Sequence, residues 1–153
     1  MKNTYFITGG TGSFSKKFVE LIVRKKIAKK IIIFSRDEYK QMLMKELPFV
    51  KQNEKIFRFY IGDVRDKDRL KWAINDDVDI VIHTAALKQV PTTEYNPFET
   101  VKTKVIAIVI MIALSTNTVT ARAEQTPSTC LVIGFSLFIG SENILFIYYP
   151  PII

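Results

Sequence analysis

The sequence predicts an α/β fold with a doubly wound parallel sheet, and three observations support this prediction. Short apolar segments alternate with amphipathic segments over residues 3–114 of the 153-residue chain. A glycine-rich loop, "ITGGTGSFSKKF", separates the first apolar segment from the first amphipathic one. After Lys104 this alternation ends and most charged residues disappear. Strict alternation of strand and helix implies parallel strands joined by right-handed crossovers, so the first part of the chain is predicted to be a Rossmann-type half-sheet.

Four strands and four helices are predicted in this first part. Apolar runs place the strands at residues 4–8, 30–35, 56–62 and 79–86, and three of them are apolar enough for burial on both faces. Amphipathic stretches place the helices at residues 13–27, 37–47, 66–75 and 97–114. We therefore expect a sheet of about four parallel strands with helices on both faces.

The composition changes after this point. Of the 22 lysine and arginine residues, only Arg122 follows Lys104, and three apolar runs occupy much of the remainder. Each run is shorter than the ~20 residues of a membrane-spanning helix, and no membrane segment is predicted. We expect residues 1–114 to form the folded half-domain and residues 115–153 to form an irregular hydrophobic tail. Such a break is typical of a truncated or frame-shifted product.

The overall composition favours one globular domain, with 48% hydrophobic and 24% charged residues. A single cysteine, Cys130, allows no internal disulfide, and the N-terminus lacks the pattern of a secretion signal, so a cytoplasmic location is expected. The net charge of +7 includes the cluster "RKKIAKK" at residues 24–30. Because the cluster ends a predicted helix and has no interleaved aromatic residues, it predicts a solvated surface and no nucleic-acid partner.

The glycine-rich loop predicts a pyrophosphate site. A loop between a strand and a helix gathers backbone N–H groups at the positive end of the helix, and glycines let the phosphates approach. Gly9, Gly12 and Ser15 have the spacing of three glycines, with serine at the third. Since that position normally permits close packing of helix on strand, the serine is expected to cost ~1–3 kcal/mol by overpacking.

The end of the second predicted strand bears on the choice of nucleotide. An acidic residue there binds the ribose hydroxyls of NAD, whereas a basic residue accommodates the 2′-phosphate of NADP. The residues present are Ser35, Arg36 and Asp37, and Arg36 favours NADP. The alternative is that Asp37 only begins a helix and Arg36 is its surface neighbour. Asp63 lies where it could bind the adenine amino group. The small residues 85–86 are expected to line the bottom of the cofactor cleft.

Four stretches together resemble the inverting UDP-N-acetylglucosamine 4,6-dehydratases, which are extended short-chain dehydrogenase/reductases of surface polysaccharide and pseudaminic acid biosynthesis. They are "ITGGTGSF", "IIIFSRDE", "FYIGDVRDKDRL" and "VIHTAALKQVPTTEYNPFETVKT". The resemblance covers residues 3–103, and "ALKQVPTTEYNPFE" is its most specific part. It implies NADP as cofactor, UDP-N-acetylglucosamine as substrate, and a homo-oligomer for full-length members.

The resemblance also implies roles for individual residues. Gly9, Thr11, Gly12, Ser13 and Phe14 would face the pyrophosphate; Ser35, Arg36, Asp37, Glu38, Tyr39 and Lys40 would face the adenosine phosphate; Asp63 and Val64 would face the adenine. Thr84 stands where the family usually has alanine beside the cofactor, and Lys88 would contact the substrate. His83, at the end of a strand, is expected to be structural.

The family's catalytic elements are not found in the sequence. By resemblance, an Asp-Lys pair follows an "LST" strand end, and a Tyr-x-x-x-Lys lies further on. Here "LST" at residues 114–116 is followed by Asn117 and Thr118, and no lysine follows Lys104. The chain alone is therefore expected to be inactive as a dehydratase. Two alternatives stay open, a non-catalytic NADP-binding module and a fragment of a nucleotide-sugar epimerase.

Overall fold

The protein is described from a computed structural model, which covers residues 2–74, 78–85, 95–103, 109, 131–139 and 142–148. Its strands are β1 (Asn3–Thr8), β2 (Ala28–Ser35), β3 (Phe57–Ile61), β4 (Ile80–His83), β5 (Leu131–Ile139) and β6 (Glu142–Tyr148). They form one sheet in the order β3-β2-β1-β4-β5-β6. The helices are α1 (Ser13–Arg24), α2 (Glu38–Lys45), α3 (Pro48–Lys51), α4 (Lys67–Ala73) and α5 (Pro97–Val101), with a 3₁₀ turn at Glu54–Ile56.

The predicted parallel arrangement of the first four strands is confirmed. Strand β1 lies between β2 and β4, so that Phe6 aligns with Ile32 on one side and with Val81 on the other. Strand β3 runs parallel to β2 on the far side. The four predicted strands thus form the order β3-β2-β1-β4, which is the Rossmann-type half-sheet expected from the alternation.

Helices cover both faces of this half-sheet, as predicted, and each face has its own apolar core. On one face, Tyr5, Ile7, Ile31 and Ile33 pack with buried residues of α1, α2 and α3. On the other face, Phe6, Ile32 and Phe34 pack with Leu70 and Ala73 of α4. Alternate residues of a strand point to opposite faces, so a strand buried on both sides must be apolar throughout. This requirement explains the unbroken run "KIIIFS" in β2.

Several boundaries differ from the predicted ones. Helix α1 ends at Arg24, three residues earlier than predicted, and β2 begins two residues earlier, at Ala28. Lys26 explains the early end because its φ of 55° is left-handed and cannot continue a right-handed helix. The predicted fourth helix does begin at Pro97, but most of its predicted extent to residue 114 lies outside the described residues.

The C-terminal segment differs from the predicted irregular tail where it is described. Strand β5 extends the sheet parallel to β4, aligning Ile133 with Ile82. Strand β6 returns antiparallel to β5, aligning Ile147 with Ile133. Both strands come from apolar runs rich in β-branched and aromatic residues, which favour extended structure. No helix within the described part of the chain has the length and apolar character that crossing a bilayer requires.

Candidate nucleotide-binding site

The predicted site residues that the structure describes lie at one edge of the sheet. They follow the carboxyl ends of β1, β2, β3 and β4, which are neighbours in the sheet. Chain order reverses at this point, because β2 and β3 lie on one side of β1 and β4 lies on the other. In open α/β sheets ligands bind outside the carboxyl ends of strands at such a switch point. Lys88 lies outside the described residues, as does Ala86.

The loop after β1 depends on glycine at its first position. Gly9 has a φ of +62°, and a β-carbon there would lie 2.7 Å from the backbone nitrogen of Ala85. The loop therefore packs backbone to backbone against the end of β4, which only glycine permits. Gly12 then begins α1 as its N-cap residue, and its N–H donates to the carbonyl of Gly9 at 2.9 Å.

The N-terminus of α1 has the features of an anion site. Gly12 provides no side chain to cap the helix, and the first turn of this 12-residue helix holds no acidic residue. Ser13 and Phe14 open the helix and are exposed, while Thr11 is buried beneath the loop. The first N–H groups of a helix have no partner within the helix, and the helix dipole favours negative charge there. The site can therefore accept phosphate groups.

Ser15 makes polar contacts at the position where overpacking was predicted, and the predicted cost stays a prediction. Its side chain is buried, and the hydroxyl donates to the Gly9 carbonyl at 3.0 Å and lies 2.7 Å from the hydroxyl of Thr84. The Thr84 hydroxyl in turn donates to the carbonyl of Thr8 at 2.6 Å. Each hydroxyl has one proton, so two of these three contacts can be hydrogen bonds at any one time. The pair ties the glycine loop to the ends of β1 and β4. The hydroxyl of Ser15 thus lies in a polar contact between α1, the glycine loop and the residue after β4.

Beside this contact, His83 has the structural role expected for it. It is buried, and its Nδ1 lies 2.7 Å from the hydroxyl of Thr8. Burial lowers the pKa of His83 to about 4, so the imidazole is neutral at physiological pH. This neutral ring at the end of β4, beside Thr8 of β1, adds no charge next to the glycine loop.

At the end of β2, Asp37 is the N-cap of α2. Its carboxylate accepts from the Lys40 backbone N–H at 2.9 Å and pairs with the Lys40 ammonium at 3.2 Å. That backbone hydrogen bond is the main reason why the pKa of Asp37 lies below its usual value. The alternative considered for this residue, a carboxylate that begins a helix, matches its contacts. Glu38, Tyr39 and Lys40 of the same turn are exposed.

Arg36 is held more loosely than its neighbours. Its side chain is 60% exposed, and its Nη1 lies 3.5 Å from Oδ2 of Asp63. Asp63 is bound mainly by Arg65, whose guanidinium contacts both carboxylate oxygens at 2.6 and 2.9 Å. These hydrogen bonds lower the pKa of Asp63. Arg65 also pairs with Glu99 of α5, which the sequence analysis missed.

The two predicted site residues after β3, Asp63 and Val64, have side chains that are already engaged within the protein. Val64 is buried in the apolar core, so its side chain faces inward. The Asp63 carboxylate is occupied by the two arginines, and its predicted contact with adenine stays a prediction.

Gln41 is a second residue that the sequence analysis missed. It is buried on α2, and its side-chain amide donates to the ends of both β2 and β3. One signal was available in the sequence, since Gln41 shares a helix face with Met44, which packs in the core. A polar residue at such a position usually has a specific hydrogen-bond partner.

Two features of this region favour anions. One is the N-terminus of α1, and the other is the exposed guanidinium of Arg36 after the end of β2. No group of His, Cys, Asp and Glu residues within the described ranges could hold a metal ion.

Comparison with known proteins places this arrangement in a family. The model of the polysaccharide biosynthesis protein family matches residues 5–123, which include most of β1 and all of β2, β3 and β4. The chain belongs to this family. The predicted resemblance to its dehydratase members is also confirmed, since the chain is 50% identical over 99 residues to the UDP-N-acetylglucosamine 4,6-dehydratase (inverting) of Campylobacter jejuni. That match covers 65% of this chain and 28% of the relative.

Other proteins are similar over an overlapping part of the chain. The UDP-glucose 4-epimerase of Rickettsia bellii is 45% identical over 106 residues, covering 67% of this chain and 30% of the relative. The X-ray structure of Pen from Bacillus thuringiensis is 33% identical with a TM-score of 0.69, covering 76% of this chain and 36% of that chain. This family member thus spans about 30% of the length of the curated relatives it matches.

Proposed function

We propose that this chain is the NADP-binding part of a UDP-N-acetylglucosamine 4,6-dehydratase of the inverting type. The proposal is supported by the glycine loop at the switch point of the sheet and by the 50% identity to the Campylobacter jejuni enzyme. When bound, the nicotinamide cofactor would supply hydride transfer. The residues of this chain would bind and orient it: the N-terminus of α1 for the pyrophosphate, and Ser35 and Arg36 for the adenosine 2′-phosphate.

The proposal of NADP, as opposed to NAD, rests on how the carboxylates and arginines after β2 and β3 pair with one another. Two of the three nearby carboxylates already have partners, because Asp37 caps α2 and Asp63 binds Arg65. These two are not free to bind the ribose hydroxyls as an NAD-specific carboxylate does, and the third, Glu38, is exposed on the first turn of α2. Among the residues that the structure describes, Arg36 has a single ion-pair contact, at 3.5 Å, with Asp63. It can turn to a phosphate while Asp63 keeps its hydrogen bonds to Arg65.

Titration of the purified chain with NADP⁺ and NAD⁺ tests this proposal. We expect NADP⁺ to bind more tightly, and Arg36→Ala to reduce the difference by about 10- to 100-fold, the range for a hydrogen bond to a charged group. The matched control is Arg24→Ala, which removes the same charge from the last turn of α1, where Arg24 pairs with Glu20. Equal affinities in the unmodified chain, or tighter binding of NAD⁺, would refute the proposal.

A nucleotide-sugar epimerase is the second candidate, favoured by the 45% identity to the Rickettsia bellii protein. The motif "ALKQVPTTEYNPFE" resembles the dehydratases and argues for the first candidate, with UDP-N-acetylglucosamine as the substrate and Lys88 as a contact to it. A non-catalytic NADP-binding module would show the same nucleotide affinities. We further propose a cytoplasmic location, since a single cysteine suits a reducing compartment.

The nucleotide sugar distinguishes the dehydratase from the module. If Lys88 contributes to a sugar site, UDP-N-acetylglucosamine should bind in the presence of NADP⁺, and Lys88→Ala should weaken it. Lys29→Ala is a suitable control because it removes one charge from the N-terminal end of β2, away from the carboxyl ends of the strands. Binding of UDP-glucose in preference to UDP-N-acetylglucosamine would favour the epimerase.

A further inference from the structure

Gln41 occupies an unusual place for an amide side chain. It is 3% exposed, and it lies on α2 behind the predicted phosphate-binding residues. Its Nε2 lies 2.9 Å from the carbonyl of Tyr60, 3.0 Å from the hydroxyl of Ser35 and 3.3 Å from the carbonyl of Ser35. One side chain therefore joins the carboxyl ends of β2 and β3 to the helix between them.

The direction of these hydrogen bonds follows from the surroundings. Two carbonyl oxygens face the end of the Gln41 side chain, and an amide oxygen turned toward them would be repelled, so the NH₂ group must face them. The Ser35 carbonyl already accepts from the Gly62 N–H at 3.2 Å. The two protons of the amide therefore go to their two nearer acceptors, the Tyr60 carbonyl and the Ser35 hydroxyl.

This arrangement fixes what the Ser35 hydroxyl can do. A serine hydroxyl has one proton, and because it accepts from Gln41 that proton is directed elsewhere. Within the described part of the chain no acceptor for it is recorded. Ser35 is the last residue of β2 and directly precedes Arg36. The hydroxyl therefore stands as a donor at the position proposed for the 2′-phosphate.

We infer that Gln41 is a positioning residue that sets nucleotide specificity through Ser35. By directing the hydroxyl proton away from the amide, it favours the ligand group that accepts a hydrogen bond more strongly, and a charged phosphate oxygen is a stronger acceptor than a neutral ribose hydroxyl. The inference rests on the proposed NADP site and deepens it, because it adds a specificity determinant that never touches the ligand.

The test compares adenosine 2′,5′-bisphosphate with adenosine 5′-monophosphate, which differ only in the 2′-phosphate. The ratio of their dissociation constants is measured for the unmodified chain, Ser35→Ala, Gln41→Met and the double variant. We expect each single variant to lower the ratio about tenfold, and the double variant to lower it no further, because Gln41 acts through Ser35. Affinity for the monophosphate should change little in all of them.

Two controls separate this effect from general damage. Asn53→Leu removes a similar side-chain amide hydrogen bond, in which Asn53 Nδ2 donates to the Phe49 carbonyl at 2.9 Å, away from the site. It should leave the ratio of the two dissociation constants unchanged. Thermal unfolding shows whether each variant folds, and Gln41→Leu replaces Gln41→Met if the latter does not fold. An unchanged ratio in a folded Gln41 variant would overturn the inference while leaving the NADP proposal intact. An unchanged ratio in Ser35→Ala would overturn the inference and the proposed role of Ser35, while leaving the preference for NADP to Arg36. Equal affinity for both nucleotides in the unmodified chain would overturn both the inference and the NADP proposal.

Discussion

At the carboxyl ends of the strands, the role of a single residue depends on hydrogen bonds with its neighbours. Ser15 illustrates this point, since its hydroxyl contacts the Gly9 carbonyl and the Thr84 hydroxyl. By resemblance, glycine and alanine are usual at these two positions. In this chain both carry hydroxyls, and the two hydroxyls meet. Two departures from the family pattern thus form one polar contact.

Replacing Ser15 with glycine tests whether the hydroxyl stabilises or crowds the loop. Overpacking would make Ser15→Gly stabilising, whereas the observed contacts predict that Ser15→Gly lowers the free energy of unfolding by about 1–2 kcal/mol through lost hydrogen bonding and helix propensity. Urea denaturation measures this directly.

The Thr84 contact can be isolated with Ser15→Ala and Thr84→Val. The two changes should be non-additive by at least ~0.5 kcal/mol in a double-mutant cycle, because the side chains are in direct contact. Additive effects would show that the contact contributes nothing.

The buried imidazole of His83 makes stability depend on pH. Its pKa is about 4 in the folded state and near 6.5 when unfolded. The unfolded state therefore binds more protons between these values, and stability present above pH 6.5 is lost as the pH falls toward 4. Between pH 7 and pH 5 this predicts a loss of about 2 kcal/mol.

Urea denaturation at the two pH values measures this loss, and His83→Gln should remove most of it. His83 is the single histidine of the chain, so no other imidazole obscures the result. The carboxylates with lowered pKa values, including Asp63, respond mainly below this range. A pH dependence unchanged in His83→Gln would contradict the assignment.

Among the elements, the loop between β1 and α1 is the most constrained, and its glycines are not equivalent. Gly9 has a left-handed φ, and an added β-carbon would meet the Ala85 backbone at 2.7 Å. Gly12 has an extended conformation, and its nearest contact would be the Gly9 carbonyl at 3.2 Å. The first position therefore tolerates no side chain, while the second needs only a small adjustment.

Gly9→Ala should therefore destabilise the fold by about 2–3 kcal/mol or more and abolish nucleotide binding, since it combines backbone strain with a backbone clash. Gly12→Ala, the matched control, should retain most of the stability. Chemical denaturation and nucleotide titration of the two variants provide the comparison. Equal losses at both positions would show that the loop has another conformation.

The sequence predicted the elements that repeat a simple pattern and missed the contacts between them. The four strands were found to within two or three residues because each is an apolar run bounded by polar residues. The end of α1 and the start of β2 were misplaced because the left-handed turn at Lys26 has no clear sequence signal. Gln41 and Arg65 were missed because their partners, Tyr60 and Glu99, come from other elements of the fold.

At the scale of the whole molecule, one sheet joins two parts of the chain with different compositions. The charged first part contributes β1 to β4, and the apolar second part contributes β5 and β6. Short apolar runs fit a buried strand and a buried helix segment about equally well, so periodicity alone could not assign the second part. Pairing of Ile133 with Ile82 is what makes β5 part of the sheet.

The last prediction concerns catalysis by the whole chain, and it differs from the activity named for the dehydratase relatives. A polypeptide with only these 153 residues should not convert UDP-N-acetylglucosamine to a 4-keto-6-deoxy sugar. By resemblance, the reaction needs an Asp-Lys pair after "LST" and a Tyr-x-x-x-Lys, and the sequence contains neither. Binding that leaves the proton transfers unassisted leaves the barrier nearly intact.

Losing positioned acid and base groups reduces rates by ~10²–10⁴-fold each, so the expected product lies below detection in an ordinary assay. The measurement is incubation with UDP-N-acetylglucosamine and NADP⁺, followed by chromatographic detection of the keto sugar. A full-length dehydratase is the positive control, and nucleotide binding by the same preparation shows that the chain is folded. Turnover at an ordinary enzymatic rate would mean that other residues of this chain supply the acid and the base, and Lys88 and the Asp66-Lys67 pair would be the first to substitute.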